Sequence, residues 1–141
     1  MKVKLDIGAF MPERAFAYDA GYDLRTPKEF LLPPSSDMGD GWQIIDTGVH
    51  IEIPPGHAGF LKSKSGLNVN YCITSDGTID AGYTGSIRVK LYNHGNQWKH
   101  FKAGDKISQI VILPIITPDL ELVDNLPETD RGDNGFGSTG V

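Results

Sequence analysis

The stretch SIRVKLYNHG, Ser86 to Gly95, alternates apolar and polar residues. Successive side chains of a β-strand point to opposite faces of a sheet, so Ile87, Val89 and Leu91 would share one face. The run then ends at Asn93-His94-Gly95, and asparagine and glycine are common in turns. The stretch therefore predicts a β-strand with one buried face.

Similar alternation runs from Val3 to Ile7 and from Val49 to Ile53, and Ile107 to Ile116 is almost entirely apolar. The last pattern is expected of a strand covered on both faces. Pro33 to Gly41 is expected to form a surface loop. The chain has 17 glycines and nine prolines, which suit many short strands joined by tight turns. These features predict an all-β domain, a sandwich or a jelly roll.

Helical periodicity is weak, and the one helix we expect is a short one from Ser65 to Tyr71, capped by Ser65. The four histidines lack metal-ligand spacing and are interpreted as surface or satisfied side chains. Cys72 is expected to be a small packing residue, and as the single cysteine it excludes an intrachain disulfide.

Length and charge narrow the classes of function. A chain of 141 residues predicts one domain, and a net charge of -5 argues against broad nucleic-acid binding. No stretch approaches the roughly 20 apolar residues of a membrane span, and the N-terminus does not resemble a signal peptide. We therefore expect a cytoplasmic protein, in the host cell cytoplasm if the protein is viral.

The chain ends in RGDNGFGSTGV, from Arg131 to Val141. Glycine-rich backbone is flexible but can turn its amides toward phosphate oxygens. Arg131 offers a bidentate fork for phosphate, Phe136 can lie over a flat ring, and Ser138 and Thr139 add hydroxyl donors. The segment is thus either a lid for a ligand with phosphates and an aromatic base or simply a disordered terminus.

Five segments occur in a characteristic order, which strengthens the first alternative. Together they resemble the five motifs of the trimeric dUTP pyrophosphatases, or dUTPases. The resemblance covers nearly the whole chain. The segments are AGYDL (Ala20 to Leu24), KSGL (Lys64 to Leu67), GTIDAGYTG (Gly77 to Gly85), GDKISQ (Gly104 to Gln109) and GFGSTG (residues 135–140).

The resemblance implies a jelly-roll-like distorted barrel that forms a homotrimer, with the C-terminal tail exchanged between subunits. Residues 1–125 would be the β-domain and residues 126–141 the flexible lid. The implied reaction is hydrolysis of dUTP to dUMP and pyrophosphate, with Mg²⁺, by attack of water on the α-phosphorus. Such an enzyme would belong to nucleotide metabolism and dUMP biosynthesis.

The same resemblance implies roles for particular residues. Asp80 would be the general base, and Tyr83 would pack under the sugar and leave no room for a 2′-hydroxyl. Asp23 would lie near the Mg²⁺, largely through bound water. The remaining expected substrate contacts are Lys64, Ser65, Gly66, Thr78, Ile79, Arg88, Gln109, Arg131, Phe136, Gly137, Ser138 and Thr139.

Two positions depart from the family pattern, and two rival functions remain. Lys64 and Asn134 stand where the family usually has arginine and glycine. Lysine keeps the positive charge but loses the planar fork. A dCTP deaminase would share the fold but needs a glutamate at the base ring, where this chain has Asp80. A regulatory protein that uses the fold to bind a protein partner is the rival from another class.

Overall fold

The computed structural model describes residues 1–35 and 41–134. Residues 36–40, within the expected loop at 33–41, and residues 135–141 lie outside the described part. The described residues form ten strands and one helix. They are β1 (Val3–Leu5), β2 (Gly21–Arg25), β3 (Phe30–Leu32), β4 (Trp42–Asp46), β5 (Val49–Ile51), β6 (His57–Lys62), α1 (Ser65–Tyr71), β7 (Ile73–Asp80), β8 (Arg88–Asn93), β9 (Lys99–Phe101) and β10 (Lys106–Pro114).

A six-stranded sheet in the order β2-β10-β6-β7-β8-β4 forms the body of the molecule. Two antiparallel ribbons, β1-β5 and β3-β9, complete it. Neighbouring strands in the large sheet are antiparallel. The predicted all-β fold is confirmed.

The alternating stretch from Ser86 to Gly95 contains strand β8, and its apolar side chains are buried as predicted. Ile87, Val89 and Leu91 are buried, while Arg88 is exposed and Lys90 is partly exposed. The three apolar side chains belong to a core of mostly leucine, isoleucine and valine side chains from most of the strands. Burial of this apolar surface is the main stabilising term of such a domain.

The last strand is covered less completely than its sequence suggests. Ile107 and Ile110 are buried, but Leu113 is 47 % exposed and Ile116 is 90 % exposed. The prediction that both faces of this strand are covered is therefore correct for Ile107 to Ile110. It is wrong for Leu113 to Ile116, which the described part of the same chain leaves exposed. Further apolar side chains beyond the strand are also exposed, namely Leu120, Leu122 and Leu126.

Two local predictions are wrong. The helix does span Ser65–Tyr71, but its N-cap is Lys64 rather than Ser65, and no side chain caps it. Cys72 is exposed and not a packing residue, and it ends the helix in the left-handed conformation at φ 54°. Its N–H donates to the carbonyl of Asn68, which closes the last turn of the helix.

No helix among residues 1–35 and 41–134 is long and apolar enough to cross a membrane.

Gly59 lies where β6 crosses the core, and its missing side chain is a packing requirement. A Cβ at this position would come within 2.8 Å of Ile110 Cδ1 and 2.9 Å of Ile53 Cδ1. We expect Gly59→Ala to lower the free energy of unfolding by about 1–3 kcal/mol, the usual cost of overpacking a core. Urea unfolding at one fixed protein concentration measures the change.

Gly66→Ala is the matched control, because a Cβ at Gly66 meets no atom within 4 Å. Alanine in a helix is more stable than glycine by about 1 kcal/mol, so the control is expected to be neutral or slightly stabilising. Equal stability of Gly59→Ala and the parent protein would contradict the packing argument.

Candidate active site

One group of expected site residues surrounds the Asp23 carboxylate. Asp23 lies on β2 opposite Gln109 of β10, and Gln109 is also paired with Lys62 at the end of β6. The chain then continues from β6 through Ser63 to Lys64 and the first turn of α1. The fold thus brings Asp23, Lys64 and Gln109 together, with Ser65 and Gly66 next in the chain.

Asp23 is the most buried charge of this group, since its side chain is 5 % exposed. One carboxylate oxygen accepts a hydrogen bond from Lys64 Nζ, and the other lies 2.6 Å from Lys106 Nζ. Burial alone would raise the pKa of Asp23, but the hydrogen bonds and charges of Lys106 and Lys64 outweigh it and hold the pKa below its ordinary value. Asp23 is therefore an ionised carboxylate shared by two cations.

Sequence analysis did not assign Lys106 to the site. Lys106 lies within the GDKISQ segment, so its motif position was the available signal. Its approach to Asp23 depends on a register shift between β10 and β2, which occurs between Lys106 and Ser108. Irregularities of this kind redirect side chains and are not readable from alternation alone.

Gln109 is held by its surroundings. Its Nε2 donates to the carbonyl of Ser63 over 3.2 Å. Its side chain also lies over Gly21, where a Cβ would come within 2.9 Å of Gln109 Cδ. The glycine of AGYDL therefore makes room for the glutamine of GDKISQ, a contact that sequence analysis missed.

A small network of serine side chains supports the turn that carries Lys64. Ser75 N donates to Ser63 Oγ over 2.9 Å, and Ser63 Oγ donates to the carbonyl of Ser75. Ser75 Oγ and Ser108 Oγ are 2.9 Å apart, and Ser108 Oγ donates to the carbonyl of Lys62. These bonds join the end of β6 to β7 and β10 and fix the backbone before Lys64.

The second group of expected site residues lies at the far end of β7. Asp80 is the last residue of this strand and is exposed. Tyr83 N donates to the carbonyl of Asp80, and Gly82 between them has φ +89°, which favours glycine. The carboxylate thus stands at the start of a tight turn.

Tyr83 turns back over its own loop. Its hydroxyl donates to the carbonyl of Ser86 over 3.0 Å, and a Cβ on Gly85 would come within 2.6 Å of the ring atom Cζ. Gly85 therefore permits this ring position. Tyr83 is 46 % exposed, so part of its side chain is available to a ligand.

Strands β7 and β8 are paired only through the first residues of β7 and the last residues of β8, and they separate beyond this ladder. Their ladder covers three pairs, from Ile73–Asn93 to Ser75–Leu91. Beyond it, the rest of β7, with Thr78 and Ile79, pairs with β6, whereas Arg88 pairs with Asp46 of β4. Residues 77–79 of β7 therefore have no strand partner on the side toward β8 in the described part of the chain.

The two groups lie apart in one chain, because β6 separates them. Asp80 is paired with Ala58 near one end of β6, and Gln109 with Lys62 at the other end. Four residues of strand span about 13 Å and two strand spacings about 10 Å, so the two Cα atoms are roughly 16 Å apart. Lys64 follows Lys62 by two residues and therefore lies at the same end of β6 as Gln109.

Within the described part of the tail, Arg131 is not brought to either group. Arg131 is exposed, and its Nε donates to the carbonyl of Asn134. Phe136, Gly137, Ser138 and Thr139 lie outside the described residues.

A metal cage is not formed by the part of the chain that is described, which contains no group of three or more His, Cys, Asp or Glu side chains able to hold an ion. Asp23 supplies oxygen, the donor that Mg²⁺ prefers, but both of its oxygens are bound to lysines. The residues therefore fit only a Mg²⁺ that arrives already bound to another anionic ligand.

Comparison with known proteins decides the family. The dUTPase family model matches residues 8–140. The chain belongs to the dUTPase family. Deoxyuridine 5'-triphosphate nucleotidohydrolase from Gloeothece citriformis is 39 % identical over 141 residues, which cover 98 % of this chain and 94 % of that protein. The enzyme of the same name from Solanum lycopersicum is 40 % identical over 139 residues, 98 % of this chain and 79 % of that protein.

Solved dUTPase structures share the fold. The dUTPase of Staphylococcus bacteriophage 80alpha with dUPNHPP has a TM-score of 0.88 and 32 % identity, covering 99 % of this chain and 98 % of that one. A mutant dUTPase from phage phi11 of S. aureus, whose structure shows the coordination of a structural Mg(II) ion, has a TM-score of 0.79 and 30 % identity. It covers 88 % of this chain and 96 % of that one.

The Asp23 ion pairs generate a prediction about stability. A carboxylate with a lowered pKa stabilises the folded state above its unfolded pKa of 3.8, and this contribution is lost as the pH falls through the folded pKa. We expect Asp23→Asn to be less stable than the parent protein at pH 7 and to lose less stability between pH 5 and pH 3. Urea unfolding across this range is the measurement.

Asp76→Asn is the control for this experiment, because the Asp76–Lys62 pair is 3.4 Å long and its carboxylate is 80 % exposed. Exposed pairs contribute little to stability. Identical acid profiles of Asp23→Asn and the parent protein would show that the two lysines do not stabilise the Asp23 carboxylate.

Proposed function

We propose that this protein hydrolyses dUTP to dUMP and pyrophosphate and that each active site is shared between subunits of a homotrimer. The observation that carries the reaction is the dUTPase match over residues 8–140, together with Asp80 at the end of a rigid strand. The separation of Asp80 from Gln109 carries the proposal of a shared site.

Asp80 acts as the general base. Its carboxylate is exposed and stands where β7 ends, so it can reach a water molecule while the strand holds its position. It accepts a proton from the water that attacks the α-phosphorus. The relatives named dUTP nucleotidohydrolases support this chemistry over deamination, which needs a glutamate at the base ring.

The gap between β7 and β8 receives the uracil ring. Main-chain groups near Thr78, Ile79 and Arg88 form hydrogen bonds to the edge of the base, and a base with the opposite donor pattern leaves buried groups unpaired. The Tyr83 ring lies below the sugar, where a 2′-hydroxyl would collide with it. The hairpin thus selects both the base and the deoxyribose.

The group around Asp23 holds the triphosphate. Lys64 supplies positive charge, Gln109 supplies an amide donor, and the first N–H groups of α1, at Ser65 and Gly66, point out of the helix without carbonyl partners in it. Lys64 leaves Asp23 to reach a phosphate oxygen, and Lys106 then remains as the cation beside Asp23. The lid of Arg131, Phe136, Gly137, Ser138 and Thr139 closes over the ligand.

Asp23 would hold Mg²⁺ through bound water if the ion is carried by dUTP and Lys64 has turned away, and the metal would supply positive charge to offset that of the phosphates. This arrangement lets an acidic protein with few local cations bind a triphosphate.

A trimer would also cover the exposed apolar segment from Ile116 to Leu122, which we call the arm. Ile116, Leu120 and Leu122 are each at least 90 % exposed, which is unusual for three large apolar side chains so close in sequence. Burial against neighbouring subunits removes this surface from water. Residues 126–141 then follow the arm toward the neighbouring site as the lid.

The reaction is tested by pyrophosphate release with Mg²⁺ from dUTP, dCTP, dTTP and UTP. We expect release from dUTP in strong preference to the other three. Asp80→Asn is expected to bind a non-hydrolysable dUTP analogue like the parent protein and to lose at least about 100-fold in kcat, the low end for a general base. A fully active Asp80→Asn protein would disprove the role of Asp80.

The shared site is tested by mixing inactive variants. Asp80→Asn and Lys64→Ala damage different groups, so a trimer containing both retains some sites with an intact Asp80 from one subunit and an intact Lys64 from another. We expect refolding of the two inactive proteins together to restore activity. Refolding each variant alone, at the same total concentration, is the control.

A mixture no more active than either variant alone would place both groups of each site in one subunit. A cytoplasmic location stays a prediction from the sequence, and a regulatory protein that binds a protein partner stays the rival hypothesis.

A further inference from the structure

His50 joins the β1-β5 ribbon to the loop that carries Tyr83. It lies on β5 opposite Lys4 of β1. Its Nδ1 is 2.8 Å from the carbonyl oxygen of Thr84, and its Nε2 is 3.2 Å from Asp6 Oδ2. The ring therefore bridges an element outside the site and the residue directly after Tyr83.

Both partners of His50 are hydrogen-bond acceptors, a carbonyl and a carboxylate. A neutral imidazole has one N–H group and an imidazolium has two. Only the protonated ring can donate to Thr84 and to Asp6 at once. A neutral ring keeps one contact and turns a lone pair toward the other acceptor, whichever tautomer it adopts.

Other charged groups around His50 act in both directions. The hydrogen bond to the Thr84 carbonyl and the contact with Asp6 raise the pKa of His50, while Lys4 opposes them. Asp46, at the end of β4, adds a negative charge near the ring, and Arg88 of β8 pairs with Asp46 at 3.8 Å.

The loop between β7 and β8, residues 81–87, is anchored at its two ends. At its start, Tyr83 N donates to Asp80 O, and at its end Ser86 Oγ donates to Asp46 and Ile87 N donates to the carbonyl of Val49. Tyr83 hydroxyl bonds within the loop, to the Ser86 carbonyl, so it does not tie the loop to the rest of the protein. The Thr84–His50 contact lies between these anchors, beside the ring of Tyr83.

We propose that His50 is a positioning residue for substrate selection. By donating to the Thr84 carbonyl, it holds Tyr83 where the ring excludes a 2′-hydroxyl. This inference rests on the proposed dUTP hydrolysis and adds a residue that neither touches the substrate nor lies in the five motif segments. It also makes the preference for dUTP over UTP dependent on pH, because a neutral His50 cannot donate to Thr84 and Asp6 at once, and the bridge between the loop and Asp6 then loses one of its two hydrogen bonds.

The experiment compares the parent protein with His50→Gln and His50→Ala. His100→Gln is the matched control, since His100 also pairs with a carboxylate, Glu29, at the surface but on the β3-β9 ribbon. Two kinds of measurement are made on the full chain between pH 5.5 and pH 9. The first gives kcat and KM for dUTP and for UTP. The second gives the hydrogen-exchange rate of the Tyr83 amide without nucleotide.

We expect His50→Gln to raise KM for dUTP about fivefold, the effect of losing one ordinary hydrogen bond, with kcat nearly unchanged. The preference for dUTP over UTP falls, and the Tyr83 amide exchanges faster. In the parent protein the preference falls as the pH rises through the titration of His50, and in His50→Gln it no longer follows this titration. His100→Gln behaves like the parent protein.

Unchanged dUTP preference and unchanged Tyr83 exchange in His50→Gln would overturn the proposal, even if kcat fell, because a general loss of structure lowers turnover without changing selection. The amide of His50→Gln takes the place of Nε2, which faces Asp6, and leaves no donor at the place of Nδ1, which faces Thr84. This variant therefore removes the Thr84 contact while keeping a polar side chain, and it tests the proposal if His50→Ala does not fold. If the parent protein releases no pyrophosphate from dUTP, the proposed function fails. Faster Tyr83 exchange in His50→Gln still supports the tether, and unchanged exchange rejects it.

Discussion

Strand β6 sets the geometry on which the site depends. It is paired along its length with β10 on one side and β7 on the other, so its hydrogen bonds fix how far apart its two ends lie. Asp80 is tied to one end and Gln109 to the other. Neither pair can slip by one residue without turning buried side chains such as Leu61 outward. The two groups of candidate site residues therefore cannot approach one another within a single copy, which is the constraint behind the proposal of a shared site.

Charge balance is the second constraint. Asp23 is buried and ionised, so removing either lysine leaves a costly imbalance unless the other compensates. In the proposed mechanism, Lys106 would keep Asp23 paired when Lys64 moves to a phosphate. A site with Lys64 alone would leave Asp23 without a partner at that moment. Two lysines on one carboxylate would thus let the protein release a cation to its ligand without leaving a buried charge unpaired.

The sequence predicts the fold well where one periodicity decides the outcome. Alternation places Ile87, Val89 and Leu91 in the core because a strand with one wet face has a fixed side-chain period. The prediction from the apolar run fails at Ile116, because such a run does not show whether the residues that cover it belong to the same chain or to another. The N-cap is predicted at Ser65 but lies at Lys64, because residue type alone locates a helix boundary only to within one or two residues.

The candidate site was predictable as a set of positions but not as a set of contacts. Motif order identifies Asp23, Lys64 and Gln109, and the structure brings them together. The role of Lys106 depends on a register shift, and the contact of Gly21 with Gln109 depends on a side-chain direction. Both are consequences of how β2 and β10 pair, which no single segment encodes.

The His50 tether shows why residues outside the motifs matter to selection. The Tyr83 ring rests on a glycine-rich turn, between Gly82 and Gly85, and such a turn gains mobility from its lack of side chains. Rejection of a single hydroxyl requires a ring that does not yield, because a mobile ring could move aside at small cost. The flexibility that lets the loop turn so tightly must be removed by contacts from elsewhere, and the β1-β5 ribbon is the element close enough to supply one at Thr84.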